Sequence, residues 1–70
     1  MLEELIEEFH ELENKSNLVF ERDFDDKEKF CSRYLEELEI IENGLINNHY
    51  YKLSYAIECL RSRLLMELIV

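Results

Sequence analysis

Glu42-Asn43-Gly44-Leu45-Ile46-Asn47 is the stretch of this sequence that predicts its fold. It contains the only glycine of the 70 residues, and the chain has no proline. Because glycine adopts positive φ without a Cβ clash, Gly44 suits the position just past the end of a helix. Asn47 or Asn48 then suits the N-cap of the next helix. The stretch therefore predicts an antiparallel helical hairpin, about 26–43 and 48–69, hinged at Gly44.

The apolar residues on both sides of this stretch support the hairpin. They recur at alternating spacings of three and four, which is typical of an apolar stripe on one face of a helix. With the chain folded back at residues 45 and 46, Ile41 faces Tyr50 and Cys31 faces Leu60. Every predicted layer then pairs apolar with apolar. The two stripes are Cys31, Tyr34, Leu38, Ile41 and Leu45 before the turn, and Tyr50, Leu53, Ile57, Leu60 and Leu64 after it.

The N-terminal segment predicts a third helix. Leu2, Leu5, Phe9 and Leu12 form an apolar stripe, and glutamates fill the other face. Residues 14–17, Asn-Lys-Ser-Asn, favour caps and turns, so we expect this helix to cover about 2–13. Residues 18–24 have no clean apolar period. The sequence allows three structures for this segment: a short helical turn, an extended cover on the core, or part of one long helix over 2–42. The fold class that results is all-α: one domain, 1–70, built as a small three-helix bundle.

The charge of the chain is strongly negative and unevenly spread. The formal net charge is −9 at pH 7. Residues 1–44 hold 15 of the 17 acidic and 5 of the 8 basic residues, whereas 45–70 hold two acids and three bases. This excess argues against direct nucleic acid binding and against adsorption to an anionic membrane. With no apolar run long enough to span a bilayer and no basic, apolar leader, the expected location is cytoplasmic.

Candidate sites for metals, cofactors and catalysis fail on their spacing. Glu7 and His10 match one Glu-x-x-His motif, but a carboxylate-bridged site needs two such motifs and further inward glutamates. A site shared by His10, His49, Cys31 and Cys59 lacks close ligand pairs. A calcium loop over 23–34 lacks its glycine and its bidentate glutamate, and Asp25 with Glu28 predicts a helical capping box instead. We therefore expect no metal, no cofactor and no enzyme activity.

The C-terminal helix carries the main functional prediction. Its last seven residues, 64–70, include six apolar ones, and such a patch is rarely left exposed in a monomer. The pattern indicates an adaptor, a co-chaperone or a regulatory subunit that docks on another protein, or on a second copy of itself, through this helix. The predicted contact residues are Tyr51, Tyr55, Leu65, Met66 and Ile69.

Two alternative functions follow from other features. Glu4, Glu7, Glu8 and Glu11 would form an acidic face on the first helix. Such a face suits an inhibitor, for instance one carried by a phage, that imitates nucleic acid on a basic protein surface. The commoner meaning of such a run is a solvated helix face. The third interpretation is a purely structural subunit that associates with itself.

Overall fold

The computed structural model describes residues 1–22 and 26–69. Three α-helices make up the fold: α1 (Leu2–Glu21), α2 (Lys27–Asn47) and α3 (Ser54–Ile69). The described residues contain no strand. Helix α2 is central and packs along both of its neighbours, whereas α1 and α3 touch each other only marginally. The predicted all-α three-helix bundle is thus confirmed, although its helix boundaries differ from the prediction.

The core contains most of the apolar stripes that the spacing predicts, but Tyr50 and Leu53 lie in the connection before α3 and are only partly buried. From α2, all five stripe residues, Cys31 to Leu45, are buried, and from α3 Ile57, Leu60 and Leu64 are buried. Phe9, Leu12 and Val19 of α1 complete this core. Burial of these side chains supplies most of the stabilisation, because isolated helices of this length are marginal in water.

The first helix is longer than predicted. It continues through residues 14–17 to Glu21, and the backbone becomes extended at Arg22. Phe9, Leu12, Ser16 and Val19 are all buried and keep the helical spacing across the expected break. Asn14, Lys15 and Asn17 remain helical on the exposed side. Packing of one continuous face against α2 therefore outweighs the local preference of these residues for turns.

The turn does not lie at Gly44, and this part of the prediction is wrong. Gly44 is helical with negative φ, and α2 continues to Asn47. The helix ends in a Schellman motif one turn later, with His49 in the left-handed region at φ 56°. The amide of Tyr50 donates to the Leu45 carbonyl at 3.0 Å, and that of His49 donates to Ile46 at 2.9 Å. The extra turn buries Leu45.

The predicted caps around the turn change accordingly. Asn47 is helical and Asn48 is the C-cap of α2 rather than the N-cap of α3. The Asn48 side-chain amide donates to the Gly44 carbonyl at 2.8 Å, and the same carbonyl accepts from the Asn48 backbone amide at 3.2 Å. Because the connection now spans residues 48–53, α3 begins at Ser54 instead of residue 48.

Gly44 has a packing role in place of the predicted hinge role. A Cβ built on Gly44 would lie 3.0 Å from both Cδ atoms of Leu5. Leu5 of α1 therefore packs directly on the backbone of α2, where a side chain would push it away. The single glycine lets α1 approach α2 closely near one end of the bundle.

The later turn also moves α3 along α2. The side chain of Glu67 pairs with Lys27 at 2.7 Å, and Arg61 pairs with Glu42, so the residues facing α2 lie further along α3 than predicted. Such a displacement can preserve the apolar pairing, because apolar stripes repeat about every seven residues. The apolar spacing therefore predicts correctly which faces of α2 and α3 are buried, but it predicts the wrong register between the two helices. The N-cap of α2 is Asp26 instead of the predicted Asp25. Asp25, Phe24 and Val70 lie outside the described residues.

Within the described part of the chain, no helix combines the length and the apolar character that crossing a membrane requires.

Candidate protein-docking face

Helix α3 has apolar residues on two opposite faces, and only one face is covered. Ile57, Leu60 and Leu64 point into the core. The opposite face carries residues 55, 59, 62, 66 and 69, which the helical repeat places in one line. We call Tyr55, Cys59, Ser62, Met66 and Ile69 the α3 stripe. All five are exposed, and none is charged.

The structure leaves every predicted contact residue accessible and brings three of the five into the α3 stripe. Tyr55 is 82% exposed, Met66 60% and Ile69 83%, values high for side chains of this size. Leu65 flanks the stripe and borders a shallow groove against α2. Tyr51 is exposed in the connection before α3. Cys59 and Ser62 were not predicted as members of the same line, although their spacing from Tyr55 could have revealed them.

The two edges of the α3 stripe differ in charge. Glu58 lies on one edge and Arg63 on the other, and both side chains are more than half exposed. Along the Arg63 edge runs α1, whose Phe20 ring lies 4.7 Å from the Arg63 guanidinium. Glu58 accepts a hydrogen bond from Arg61 within α3. The stripe is therefore an uncharged line between an acidic and a basic edge.

Two members of the α3 stripe, Tyr55 and Cys59, are neighbours on successive turns. The pKa of Tyr55 is raised above its usual value of 10.0, chiefly by hydrogen bonding to the Cys59 side chain. The other cysteine behaves differently, since Cys31 is buried and its pKa is raised above 9.0, chiefly by loss of solvent. The two thiols belong to different environments, with only Cys59 available at the surface.

Two ion pairs join α3 to α2. Glu67 accepts from Lys27 of α2 and also contacts Arg63, and the hydrogen bond to Lys27 lowers the pKa of Glu67 below 4.5. Arg61 joins Glu42 of α2 and Glu58 of α3. These contacts accompany the burial of Ile57, Leu60 and Leu64, which turns the core face of α3 inward and leaves the α3 stripe pointing to solvent.

The predicted acidic face is also exposed. Glu4, Glu7, Glu8 and Glu11 lie on the outer side of α1, and none of the four forms an ion pair with another residue that the structure describes. Glu8 and Glu11 border a shallow groove with Lys15 and Glu37. This face carries negative charge that the described part of the chain does not neutralise.

The remaining candidate residues do not come together. Among residues 1–22 and 26–69, no group of three or more His, Cys, Asp and Glu side chains is placed to hold a metal ion. His10 is instead paired with Glu13 at 2.9 Å on the surface of α1.

The fold and this face define a small acidic three-helix bundle with one uncovered apolar helix face. Comparison with protein-family models, with curated proteins and with solved structures gives no match in any of the three. A functional conclusion therefore depends on the surface of this chain alone.

Proposed function

We propose that this protein is a protein–protein interaction module that docks through the outward face of α3, in the manner of an adaptor, a co-chaperone or a regulatory subunit. The observation that supports the proposal is the α3 stripe, in which Tyr55, Met66 and Ile69 are exposed in one line while the core uses the opposite face. Aromatic residues and methionine are enriched in interface cores, and charged residues are depleted there.

The charge distribution supports the same face. The acidic residues are concentrated on α1 and α2, whereas α3 carries Glu58 and Glu67 against Arg61 and Arg63. A partner that approaches α3 therefore meets the least negative side of an acidic molecule. Burial of the stripe contributes about 25 cal/mol for each Å² of apolar surface removed from water.

Binding is tested with charged substitutions on and off the stripe. Met66→Glu and Ile69→Glu place a carboxylate where the partner would exclude water, so each should abolish retention of partners from an extract of the source cell. Ile40→Glu is the matched control, because Ile40 is 70% exposed but lies on α2. Circular dichroism of all three variants checks that the helices remain folded. Equal retention by the stripe variants and the control would refute the proposal.

The uncompensated glutamates of α1 favour a second candidate function, an acidic inhibitor that occupies a nucleic-acid-binding surface. The affinity of such a complex falls as the salt concentration rises, and it depends on the carboxylates. Reversal of Glu7, Glu8 and Glu11 to Lys should then abolish binding to a basic partner, whereas Met66→Glu should not. Binding that is indifferent to salt and to the reversal would exclude this candidate.

A further inference from the structure

We propose that the partner on the α3 stripe is a second copy of this chain, with the two α3 helices parallel about a two-fold axis. The inference rests on the proposed docking function and names its occupant. It follows from the heptad positions of the stripe, from the charges on its edges and from the place of α1 beside it.

The α3 stripe has the spacing of a short coiled-coil seam. Tyr55, Ser62 and Ile69 occupy d positions, and Cys59 and Met66 occupy a positions. The buried residues Ile57, Leu60 and Leu64 then fall at the f and b positions, away from the seam. The same helix can therefore keep its own core and present a complete seam to a second helix.

The edges of the seam match in a parallel pair. Glu58 is a g residue and Arg63 is the e residue five positions later. In a parallel two-stranded coiled coil, g of one helix lies against e of the next heptad on the other helix. Glu58 of each copy would thus meet Arg63 of the other, giving two symmetric opposite-charge contacts. Both side chains are more than half exposed, so each can add this contact to the ion pair that it makes within α3, Glu58 with Arg61 and Arg63 with Glu67.

An antiparallel pair lacks this match. It would place the Arg63 edges of the two α3 helices side by side, and likewise the two Glu58 edges. Because α1 runs along the Arg63 edge, it would also bring the acidic α1 helices to the same side of the pair. The parallel arrangement puts them on opposite sides of the axis. Charge therefore favours the parallel dimer.

The size of the stripe sets the expected affinity. Two helices in contact over this length bury on the order of 1,000 Å² in total, near the lower end of specific interfaces. Ser62 at a central d position weakens the seam further. We expect a reversible dimer with a dissociation constant in the micromolar range, roughly 1–100 μM.

Sedimentation equilibrium of the full chain tests the dimer. From about 1 to 300 μM, the mass should rise from 8.6 kDa toward twice that value. Met66→Glu should keep the protein monomeric throughout, while the control Ile40→Glu should dimerise like the wild type. Glu58→Arg and Arg63→Glu should each loosen the dimer about tenfold, and the double exchange should restore it to within about threefold.

Disulfide formation between the two chains distinguishes a parallel dimer from an antiparallel one. In a parallel pair, Cys59 faces its own symmetry mate, so diamide should link two chains by taking two electrons and two protons from the two thiols. Combined with Cys59→Ser, Ser62→Cys should restore the link, since Ser62 is also on the seam. Ser32→Cys in the same background should not, because Ser32 is exposed on α2. An antiparallel pair links at no more than one of the two seam positions.

The outcomes separate this inference from the proposed function. A monomer at 300 μM, or a dimer that links through only one of positions 59 and 62, would overturn the parallel self-pairing. If Met66→Glu nonetheless removes a different protein from the pull-down, the docking function of α3 stands without the dimer. If the chain dimerises with full charge-swap rescue and links at both seam positions, the inference is supported.

Discussion

Replacement of Gly44 by alanine separates the packing role of this residue from the role of a hinge. In the helix interior, alanine is more favourable than glycine by about 1 kcal/mol. Against this gain, the new methyl group would lie 3.0 Å from both Cδ atoms of Leu5. Overpacking of this kind costs about 1–3 kcal/mol, and Leu5 can relieve part of it by moving the end of its side chain. We expect Gly44→Ala to be between neutral and about 1 kcal/mol destabilising.

The decisive measurement is the same substitution in a Leu5→Ala background. Shortening Leu5 removes the atoms that the methyl group would contact. In this background only the higher helix propensity of alanine affects the free energy of unfolding. Gly44→Ala should therefore stabilise Leu5→Ala by about 1 kcal/mol. The difference between the two backgrounds, about 1–2 kcal/mol, is the coupling between residues 5 and 44.

Urea unfolding followed by circular dichroism at 222 nm measures all four proteins of this cycle. The transitions should share one slope, so that shifts in midpoint report stability. If Gly44→Ala costs about the same in both backgrounds, the two residues are not coupled and the close approach of α1 to α2 is refuted. A uniform cost of about 1 kcal/mol or more would indicate the left-handed glycine of a hinge.

Three further outcomes test other features. His49→Gly should stabilise the protein by up to about 1 kcal/mol in urea unfolding, because glycine adopts the left-handed backbone of position 49 without a Cβ clash; a loss of stability would contradict the Schellman ending. The lowered pKa of Glu67 makes its pairing with Lys27 stabilising above pH 4.5 and progressively lost as pH falls further. Lys27→Met should accordingly be less stable than wild type at pH 7, with the gap narrowing in acid; a gap independent of pH would disprove the pairing. Titration with a thiol reagent should modify Cys59 at once and Cys31 only after unfolding, since Cys31 is buried and its pKa is raised; two equally fast thiols would contradict this.

The apolar spacing predicted the buried faces well because removal of apolar surface from water is the largest favourable contribution to the stability of a small helical protein. Cys31, Tyr34 and Leu38 are buried as the three-four spacing requires. The same spacing could not determine the register, since a stripe that repeats every seven residues pairs well after a shift of two turns. In the observed register the connection spans residues 48–53, and Lys27 lies beside Glu67.

Helix ends were predicted poorly because local and tertiary preferences compete there. By local preference Gly44 favours a helix end. In the structure Gly44 lies inside α2, where the absence of a side chain leaves space for Leu5. Ser16 favours a turn locally, yet it is fully buried in the middle of α1. Nothing in the sequence identified His49 as a left-handed residue, since histidine adopts this backbone far less often than glycine.

The candidate site was predictable in part. The apolar excess of α3 indicated a surface beyond the core, and Tyr55, Met66 and Ile69 do lie exposed in one line. Cys59 and Ser62 share the helical spacing of Tyr55, but the apolar excess alone did not single them out. Binding to the α3 stripe depends on the surface of the partner as well as on this chain. The sequence of one chain therefore predicts the face and not its partner.

The marginal contact between α1 and α3 has a consequence for the motions of the protein. Each outer helix is held almost entirely by α2, its neighbour in sequence, so most packing joins nearby parts of the chain. Folds of this low contact order form within microseconds to milliseconds. We therefore expect either outer helix to detach without dislodging the other, and each opening would expose one side of α2. Amide hydrogen exchange should therefore be slowest along the centre of α2, which becomes fully unprotected only when both openings coincide.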